Sequence, residues 1–399
     1  MYVMPHDAGA GSMTSCIRQG RIAMRYTGNE TIGFLDNVAD SVPGPLGGVM
    51  PHRIAERLRT QIPDPWFVWN EFCPVGTHVG VSITAPCTVY LTGYTLDDAP
   101  QWMSLNSVVD GRQVRRDIAM QDLGRAVPDL VSRTLELRPG KPMRIDLDPA
   151  QSDDGNFTLT LSHTCLAEII GIDSDEDVLP WHGPESRRRW THYGSSISHS
   201  GQSVNPADRW MSQVARELDL RTRDFSLSGN AQLDQCLARA IANEPADFIS
   251  CAVGINLVNA DSMRERAFVP ALHGFLDTIR EGQPDTPLIM ITACSCPMQE
   301  NTPGPVICGA DGVFNVVGRH VDYDEGALTL SRTRVLVEEA LAKRADPKIG
   351  LIDGRSLLGE EDTGYLDDNL HPNQQGIDLI ARRFAVALPE ALAKLERQG

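Results

Sequence analysis

Two short segments, far apart in the sequence, carry side chains that could do chemistry together. Gly194-Ser195-Ser196 offers a serine just after a glycine turn, and Asp368 precedes His371 by three residues. A serine hydroxyl is a weak nucleophile at neutral pH, so it needs a base within hydrogen-bond reach, and that base needs a partner to fix its tautomer. Ser196, His371 and Asp368 are the residue types that fill these roles, and the chemistry they predict is acyl transfer.

Two further residues lie between these segments, each after an apolar run typical of a strand. Gly229 follows the run 225–228, and Asn256 comes shortly after the run 248–253. A tetrahedral intermediate develops a negatively charged oxygen, which needs hydrogen-bond donors already in place. The backbone N–H groups of Ser196 and Gly229 and the side-chain amide of Asn256 would supply three such donors.

In order and spacing, Ser196, Gly229, Asn256 and His371 resemble the signature residues of the SGNH (GDSL-type) hydrolases, and the resemblance covers residues 188–396. It implies that Ser196 is the nucleophile and His371 its base. It also implies that Gly229 and Asn256 donate to the oxyanion together with the Ser196 N–H.

The resemblance further implies that Asp368 orients His371. At one position the chain departs from the family, which usually has Asp between the glycine and the nucleophile, where this chain has Ser195. Ser196 fits the register of the motif, and Ser195 is the second candidate nucleophile.

Composition limits the classes of partner. The chain has 399 residues, long enough for two domains, and a net charge of −17. This charge argues against nucleic acid, whose phosphates need a clustered basic surface. It also argues against an anionic membrane, and no segment approaches the run of about 20 apolar residues that a membrane span needs. We expect a small-molecule ester as the partner, and the oligomeric state stays open, a homodimer included.

Neither a cofactor nor a metal is expected. No phosphate-binding glycine loop is present. His192 and His199 flank the nucleophile without an acidic or cysteine partner at ligand spacing, so we interpret them as strand-edge and helix-entry residues. Cys294 and Cys296 form neither a zinc knuckle nor a redox motif. The odd total of nine cysteines favours reduced thiols and a cytoplasmic location.

The sequence is predicted to form two domains. We expect a flexible extension over residues 1–20, a β-sandwich over 21–175, a linker over 176–189 and the catalytic domain over 190–399. In the sandwich region apolar residues alternate with period two, as at Val79, Val81 and Ile83, between turns rich in proline and glycine. This pattern predicts an antiparallel, jelly-roll-like β-sandwich.

From Trp190 onward, apolar strands alternate with amphipathic helices. Strands are predicted at 190–193, 224–227, 248–253, 288–293 and 349–353. This alternation predicts a three-layer α/β/α domain with a five-stranded parallel sheet, as in the SGNH family, and reactive residues at the carboxyl ends of its strands. Residues 294–326 form a long connection after the fourth strand, on the same edge, and we expect them to be a pocket wall or lid.

Three functions follow from these observations. The resemblance implies a serine-dependent carboxylic ester hydrolase that acts through an acyl-enzyme on a small to medium acyl ester. The alternative is an acyltransferase that uses the same residues to acylate an alcohol or glycoside acceptor in natural-product metabolism. A third is a non-catalytic carbohydrate-binding protein with Trp66, Phe67 and Trp69 as a stacking platform, although we favour these aromatic residues as core near a strand.

Overall fold

The computed structural model describes residues 25–62, 64–129, 132 and 134–398. The predicted extension 1–20 lies outside the described residues. The described chain divides into two compact units. The first comprises residues up to Arg53 and from Ile62 to Gly183, and the second comprises Ile54–Gln61 and the residues from Pro184 onward.

The first unit is built from two β-sheets, predominantly antiparallel, as the alternating pattern predicts. Within the described residues, eight strands form one sheet and six the other. The eight are Tyr26–Thr27, Asp40–Pro43, Val49–His52, Cys87–Thr95, Gly124–Asp129, Thr134–Arg138, Met143–Leu147 and Leu166–Ser174. The six are Leu35–Asp36, His78–Ser82, Trp102–Val109, Arg112–Ala119, Asn156–Thr160 and Leu179–Pro180.

Strand register explains the core of this unit. Val79 pairs with Leu159 and Val81 with Phe157, so alternate residues of neighbouring strands point to the same face. These side chains are buried together with residues of the other sheet, such as Leu91, and the two inner faces form one core. The predicted β-sandwich is therefore present. Among the described strands of this unit, one pair is parallel: Cys87–Thr95 with Gly124–Asp129.

One helix of this unit was not predicted. Pro65–Phe72 is helical, and the Asp64 carboxylate caps it by accepting a 2.8 Å hydrogen bond from the Phe67 N–H. An acidic cap followed by proline is a common helix start, and that signal was available in the sequence. Phe67 and Trp69 are buried core residues as expected, but they lie on this helix, and Trp66 is half exposed.

The second unit contains the predicted five-stranded parallel sheet. Every neighbouring pair of strands is parallel. Successive residues of the central strands point to opposite faces and are buried on both, so helices cover the two faces of the sheet. In spatial order the strands are Leu220–Ser226, Arg188–Gly194, Phe248–Ala252, Leu288–Ile291 and Ile349–Ile352.

The longer helices of this unit lie between the predicted strands or after the last one. Trp210–Glu217 packs against Gln374–Gln398, with Trp190, Phe248 and Phe384 in the core beside them. No described helix is both long and apolar enough to cross a membrane. The remaining helices are Glu56–Arg59, Ser196–His199, Gln235–Ala242, Ile255–Asn259, Glu265–Gly282 and Leu330–Arg344.

Candidate active site

Ser196 lies at the end of the first strand of the parallel sheet. The strand ends at Gly194, and Ser196 begins a one-turn helix that ends at His199. A Cβ atom at Gly194 would lie 2.3 Å from Ser198 Oγ and 2.7 Å from His192 Nε2, so only glycine fits before this turn. The turn therefore presents Ser196 immediately beyond the sheet edge.

The structure brings Ser196 together with the two residues predicted near the other end of the chain. Ser196 Oγ lies 2.9 Å from His371 Nε2, and His371 Nδ1 lies 2.7 Å from Asp368 Oδ2. The hydroxyl of Ser195, the second candidate nucleophile, instead accepts a 3.3 Å hydrogen bond from the Ile197 N–H and caps the helix. Of the two serines, Ser196 has the geometry of a nucleophile paired with a base.

The Asp368 carboxylate accepts hydrogen bonds from donors in its own loop. Its Oδ1 accepts hydrogen bonds from the backbone N–H groups of Leu370, at 2.9 Å, and His371, at 2.6 Å. Partial burial acts to raise the pKa of Asp368, but the hydrogen bonds from the side chain and backbone of His371 outweigh it, and the pKa lies below the ordinary value. Asp368 is therefore an anion at neutral pH, facing His371 Nδ1.

Gly229 occupies a tight turn that only glycine readily adopts. The Asn230 N–H donates to the Leu227 carbonyl at 3.1 Å, and Gly229, at the third position of this turn, has φ +72°. A positive φ at that position is typical of a type II turn. The Leu227 N–H also donates to the Gly194 carbonyl at 2.8 Å, so the turn is fastened to the strand that carries Ser196.

Asn256 is the second residue of the helix Ile255–Asn259 and is buried. Its Oδ1 accepts a 3.0 Å hydrogen bond from the Ala231 N–H, and its backbone carbonyl accepts from Gln232 Nε2 at 3.1 Å. With the amide oxygen occupied, Nδ2 is the donor left for a ligand. Because Ala231 follows Gly229 by two residues, two of the three predicted oxyanion donors, Gly229 and Asn256, belong to one connected group.

This domain matches a known family. The sequence of residues 192–379 matches the GDSL-like lipase/acylhydrolase family. These residues belong to that family. No curated protein matches the chain in sequence.

Solved structures resemble the chain over most of its length. The salicylyl-acyltransferase SsfX3 from a tetracycline biosynthetic pathway is 19% identical, covers 90% of this chain and 96% of its own, and has a TM-score of 0.67. A Bacteroides ovatus protein assigned as a GDSL-like lipase is 16% identical, with coverages of 90% and 95% and a TM-score of 0.59. A family two carbohydrate esterase from Clostridium thermocellum is 14% identical, with coverages of 80% and 92% and a TM-score of 0.50. At these identities the likeness shows the fold alone.

A hairpin in the GDSL-like domain contacts the loop that carries Asp368 and His371. Its strands, Val306–Cys308 and Phe314–Val316, lie within the long connection 294–326, where the sequence showed little periodicity. The Phe314 N–H donates to the Asp368 carbonyl at 2.9 Å, and the Phe314 ring meets the His371 ring edge-on at 5.2 Å between centroids. No pattern in the sequence predicted this particular contact.

A partly buried ion pair holds the start of the same connection. The Arg334 guanidinium donates to both carboxylate oxygens of Glu300, at 2.7 and 2.9 Å, and to the carbonyls of Ala293 and Cys294. The Cys296 Sγ in turn contacts the Asn369 carbonyl at 3.4 Å, beside Asp368. Burial raises the pKa of both Cys294 and Cys296 to about 12, so these thiols stay protonated.

The sequence did not predict the polar groups beneath the one-turn helix Ser196–His199. His192, interpreted as a strand-edge residue, is fully buried in a central strand. Its two ring nitrogens contact Ser198 Oγ at 2.8 Å and Ser250 Oγ at 2.7 Å. Nearby, the buried Arg209 pairs with Asp224 at 2.5 Å. A histidine within the predicted strand 190–193 was the signal available for this network.

Proposed function

We propose that the GDSL-like domain is a serine-dependent carboxylic ester hydrolase that acts through an acyl-enzyme on a small to medium acyl ester. The observation that carries the proposal is the continuous contact from Ser196 Oγ to His371 Nε2, and from His371 Nδ1 to Asp368 Oδ2. A serine, a base and an anionic partner in this order form the constellation that activates a hydroxyl for attack on an acyl carbon.

In the acylation step, Ser196 Oγ attacks the ester carbonyl carbon while His371 Nε2 takes the hydroxyl proton. The carbonyl π electrons move to its oxygen, which becomes the oxyanion. The N–H groups of Ser196 and Gly229 and the Asn256 amide stabilise that charge. When the intermediate collapses, the C–O bond to the alcohol breaks, and the alcohol leaves with the proton that His371 carried.

In the deacylation step, water takes the place of the alcohol. His371 removes a proton from water as its oxygen attacks the acyl carbon, and the same donors stabilise the second oxyanion. Collapse releases the acid and returns the proton to Ser196 Oγ. Throughout, Asp368 keeps the His371 tautomer with its proton on Nδ1 and stabilises the imidazolium that forms in each step.

A mainly apolar cavity lies beside the turn that carries Ser196. Ser195 and Ile197, the residues on either side of Ser196, both line it. Its remaining walls are mainly apolar and include Trp210, Ala252 and Ile291. Such a lining suits an apolar acyl chain better than a charged one.

The second candidate function is transfer of the acyl group to an alcohol or glycoside acceptor, with a natural-product acceptor as one class. One observation favours it: the Phe314 ring meets the imidazole of His371, the group that must activate either water or the acceptor. An apolar ring at this place disfavours bulk water there. One solved structure of similar fold is a salicylyl-acyltransferase, and another is a carbohydrate esterase.

A cytoplasmic location is also part of the proposal, supported by the free thiols of the described cysteines.

The first test is intact-mass analysis after treatment with a fluorophosphonate, with the wild type and Ser196→Ala in parallel. A single adduct on the wild type that is absent from the variant supports the proposal. An adduct that persists in Ser196→Ala moves the nucleophile elsewhere, with Ser195→Ala as the next variant. The absence of an adduct on folded wild type favours the non-catalytic binding protein.

Product analysis separates the two reactions. With a simple aryl ester as the acyl donor, both reactions release the phenol, and the hydrolase converts the acyl group only to the acid, even at high alcohol concentration. A new ester that grows with the alcohol concentration identifies the transferase.

A further inference from the structure

The helix that carries Ser196 is too short to hold its own conformation. Ser196–His199 is a single turn, and a first helical turn is unfavourable to form by itself. Side chains from outside the turn bind its carbonyl groups. Trp210 Nε1 donates to the Ile197 carbonyl at 3.1 Å, and Arg209 donates to the Ser198 and His199 carbonyls at 2.8 and 2.9 Å. The position of Ser196 is therefore set by its surroundings.

The turn is also bound to the parallel sheet, through the side chain of Ser198. Ser198 Oγ lies 2.8 Å from His192 Nε2, and His192 Nδ1 lies 2.7 Å from Ser250 Oγ. Trp190 Nε1 donates to the same Ser250 Oγ at 2.7 Å. All four side chains are buried. They form one chain of hydrogen bonds from Trp190 in the core to the helix of Ser196.

The direction of this chain follows from its first member. An indole N–H can only donate, so Ser250 Oγ accepts from Trp190. The other contact of Ser250 Oγ is His192 Nδ1, and we therefore assign the Ser250 proton to that hydrogen bond. The remaining ring proton is then on His192 Nε2, which donates to Ser198. Burial lowers the pKa of His192 to about 4. The negative charge of Asp224 acts to raise this pKa, and the positive charge of Arg209 acts to lower it further. The imidazole is therefore neutral and acts as acceptor and donor at once.

We propose that His192 is a positioning residue, which through Ser198 holds the turn so that Ser196 Oγ stays within reach of His371. Gly194 makes this contact feasible, because a Cβ atom there would collide with both Ser198 Oγ and His192 Nε2. The inference rests on the proposed function, in which Ser196 is the nucleophile. It assigns His192 no contact with the substrate.

The test compares His192→Leu with His192→Gln by the kinetics of fluorophosphonate labelling. Leucine removes both hydrogen bonds, whereas the glutamine amide keeps a donor near the position of Nε2. We expect the rate constant at saturating probe to fall about 10- to 100-fold in His192→Leu, the effect of a displaced reacting group. Glutamine should restore most of that rate.

The final extent of labelling separates positioning from folding. A merely structural role of His192 would lower the labelled fraction and leave the rate constant of the folded molecules unchanged. A positioning role lowers the rate constant while labelling still proceeds to one adduct per chain. Wild-type rate constants in folded His192→Leu would overturn the inference.

A second variant reaches the same contact by a smaller change. Ser198→Ala removes only the hydroxyl that His192 binds, and its rate constant should fall as in His192→Leu. The double variant should be no slower than the slower single variant, because both remove one interaction. Multiplied effects would overturn the inference. If His192→Leu does not fold, Ser198→Ala decides, since a wild-type rate constant there also overturns it.

The matched control is Thr191→Val, a change at the neighbouring, equally buried residue on the other face of the strand. Its labelling kinetics should equal those of the wild type. The proposed function and this inference can fail separately. If folded wild type forms no adduct, the proposed function is overturned. If labelling depends on Ser196 but its rate constant is unchanged by substitution of His192 and Ser198, only the positioning role is overturned.

Discussion

The two halves of the candidate triad are held in different ways. Around Ser196, the supporting side chains are almost fully buried: His192 is 0%, Ser198 2%, Arg209 1% and Asp224 1% exposed. On the other side, the His371 and Asp368 side chains are 12% and 24% exposed, and their supports are backbone hydrogen bonds within the loop and the hairpin that carries Phe314.

This difference has energetic consequences. A buried polar group that loses its partner pays the full cost of desolvation, so the surroundings of Ser196 resist rearrangement. A partly exposed loop can exchange hydrogen bonds with water, and such segments open at lower free energy. We therefore expect Ser196 to be fixed before substrate arrives and His371 to be the more mobile partner.

The largest expected effect comes from removing the reacting groups. Ser196→Ala and His371→Ala should each lower kcat on an aryl ester by about 10⁴- to 10⁶-fold, whereas Asp368→Ala should lose about 10- to 100-fold less. Steady-state kinetics, with circular dichroism to check folding, measure this order. Equal loss in all three variants would give Asp368 a larger role than orientation, and no loss in Asp368→Ala would remove it from the site.

The next largest effect concerns the buried side chains around Ser196. Arg209→Met leaves the buried Asp224 carboxylate without its 2.5 Å ion pair and should destabilise the second unit by about 3–5 kcal/mol. The matched control is Arg187→Met, which breaks the exposed pair with Asp219 and should cost about 0–1 kcal/mol. Urea denaturation followed by tryptophan fluorescence measures both. Similar values for the two variants would contradict the contrast between buried and exposed supports.

On the exposed side, Phe314→Ala should change selectivity more than stability. Without the ring that lies 5.2 Å from His371, water gains access to the base. Under the second candidate function, acyl transfer, we expect hydrolysis to rise several-fold relative to transfer in the presence of an alcohol, with the labelling rate of Ser196 little changed. Phe314→Leu, which keeps an apolar group there, is the control. An unchanged product ratio in Phe314→Ala would exclude a role in water exclusion.

The smallest effect is a pH dependence of stability. The pKa of Asp368 is lower in the folded state than its ordinary value of 3.8. Its carboxylate therefore contributes stability that is complete above that value and is lost as the pH falls through the folded pKa. Asp368→Asn should be less stable than the wild type at pH 6, and the difference should shrink toward pH 3 in urea denaturation. A difference that stays constant over this range would contradict the prediction.

Much of this architecture was readable from the sequence. Apolar runs located the five parallel strands, and the rule that loops meet at the carboxyl ends of strands placed Ser196, Gly229 and Asn256 at one edge. The buried network was not readable, because it depends on strand register. His192 and Ser250 are register partners on neighbouring strands, 58 residues apart in sequence.

The helix Pro65–Phe72 and the hairpin of Phe314 were missed for different reasons. For the helix, the period-two pattern of the surrounding region masked a local capping signal at Asp64. The hairpin lacks alternation because its strands are three residues each and partly exposed, so hydrophobic periodicity has little length over which to appear. Its role depends on a backbone contact with Asp368, which no side-chain pattern records.

The hydrogen bond from the Ala231 N–H to Asn256 Oδ1 also fixes the polarity of the site. An amide can present either end to a ligand, but this one has its oxygen committed to a backbone donor, so it always turns its NH₂ group outward. Aspartate in place of Asn256 would keep the same shape and the same bond to Ala231. It would then present a negatively charged oxygen where the amide presents a donor. Under the proposed mechanism, a group that attracts the developing negative charge would become one that repels it.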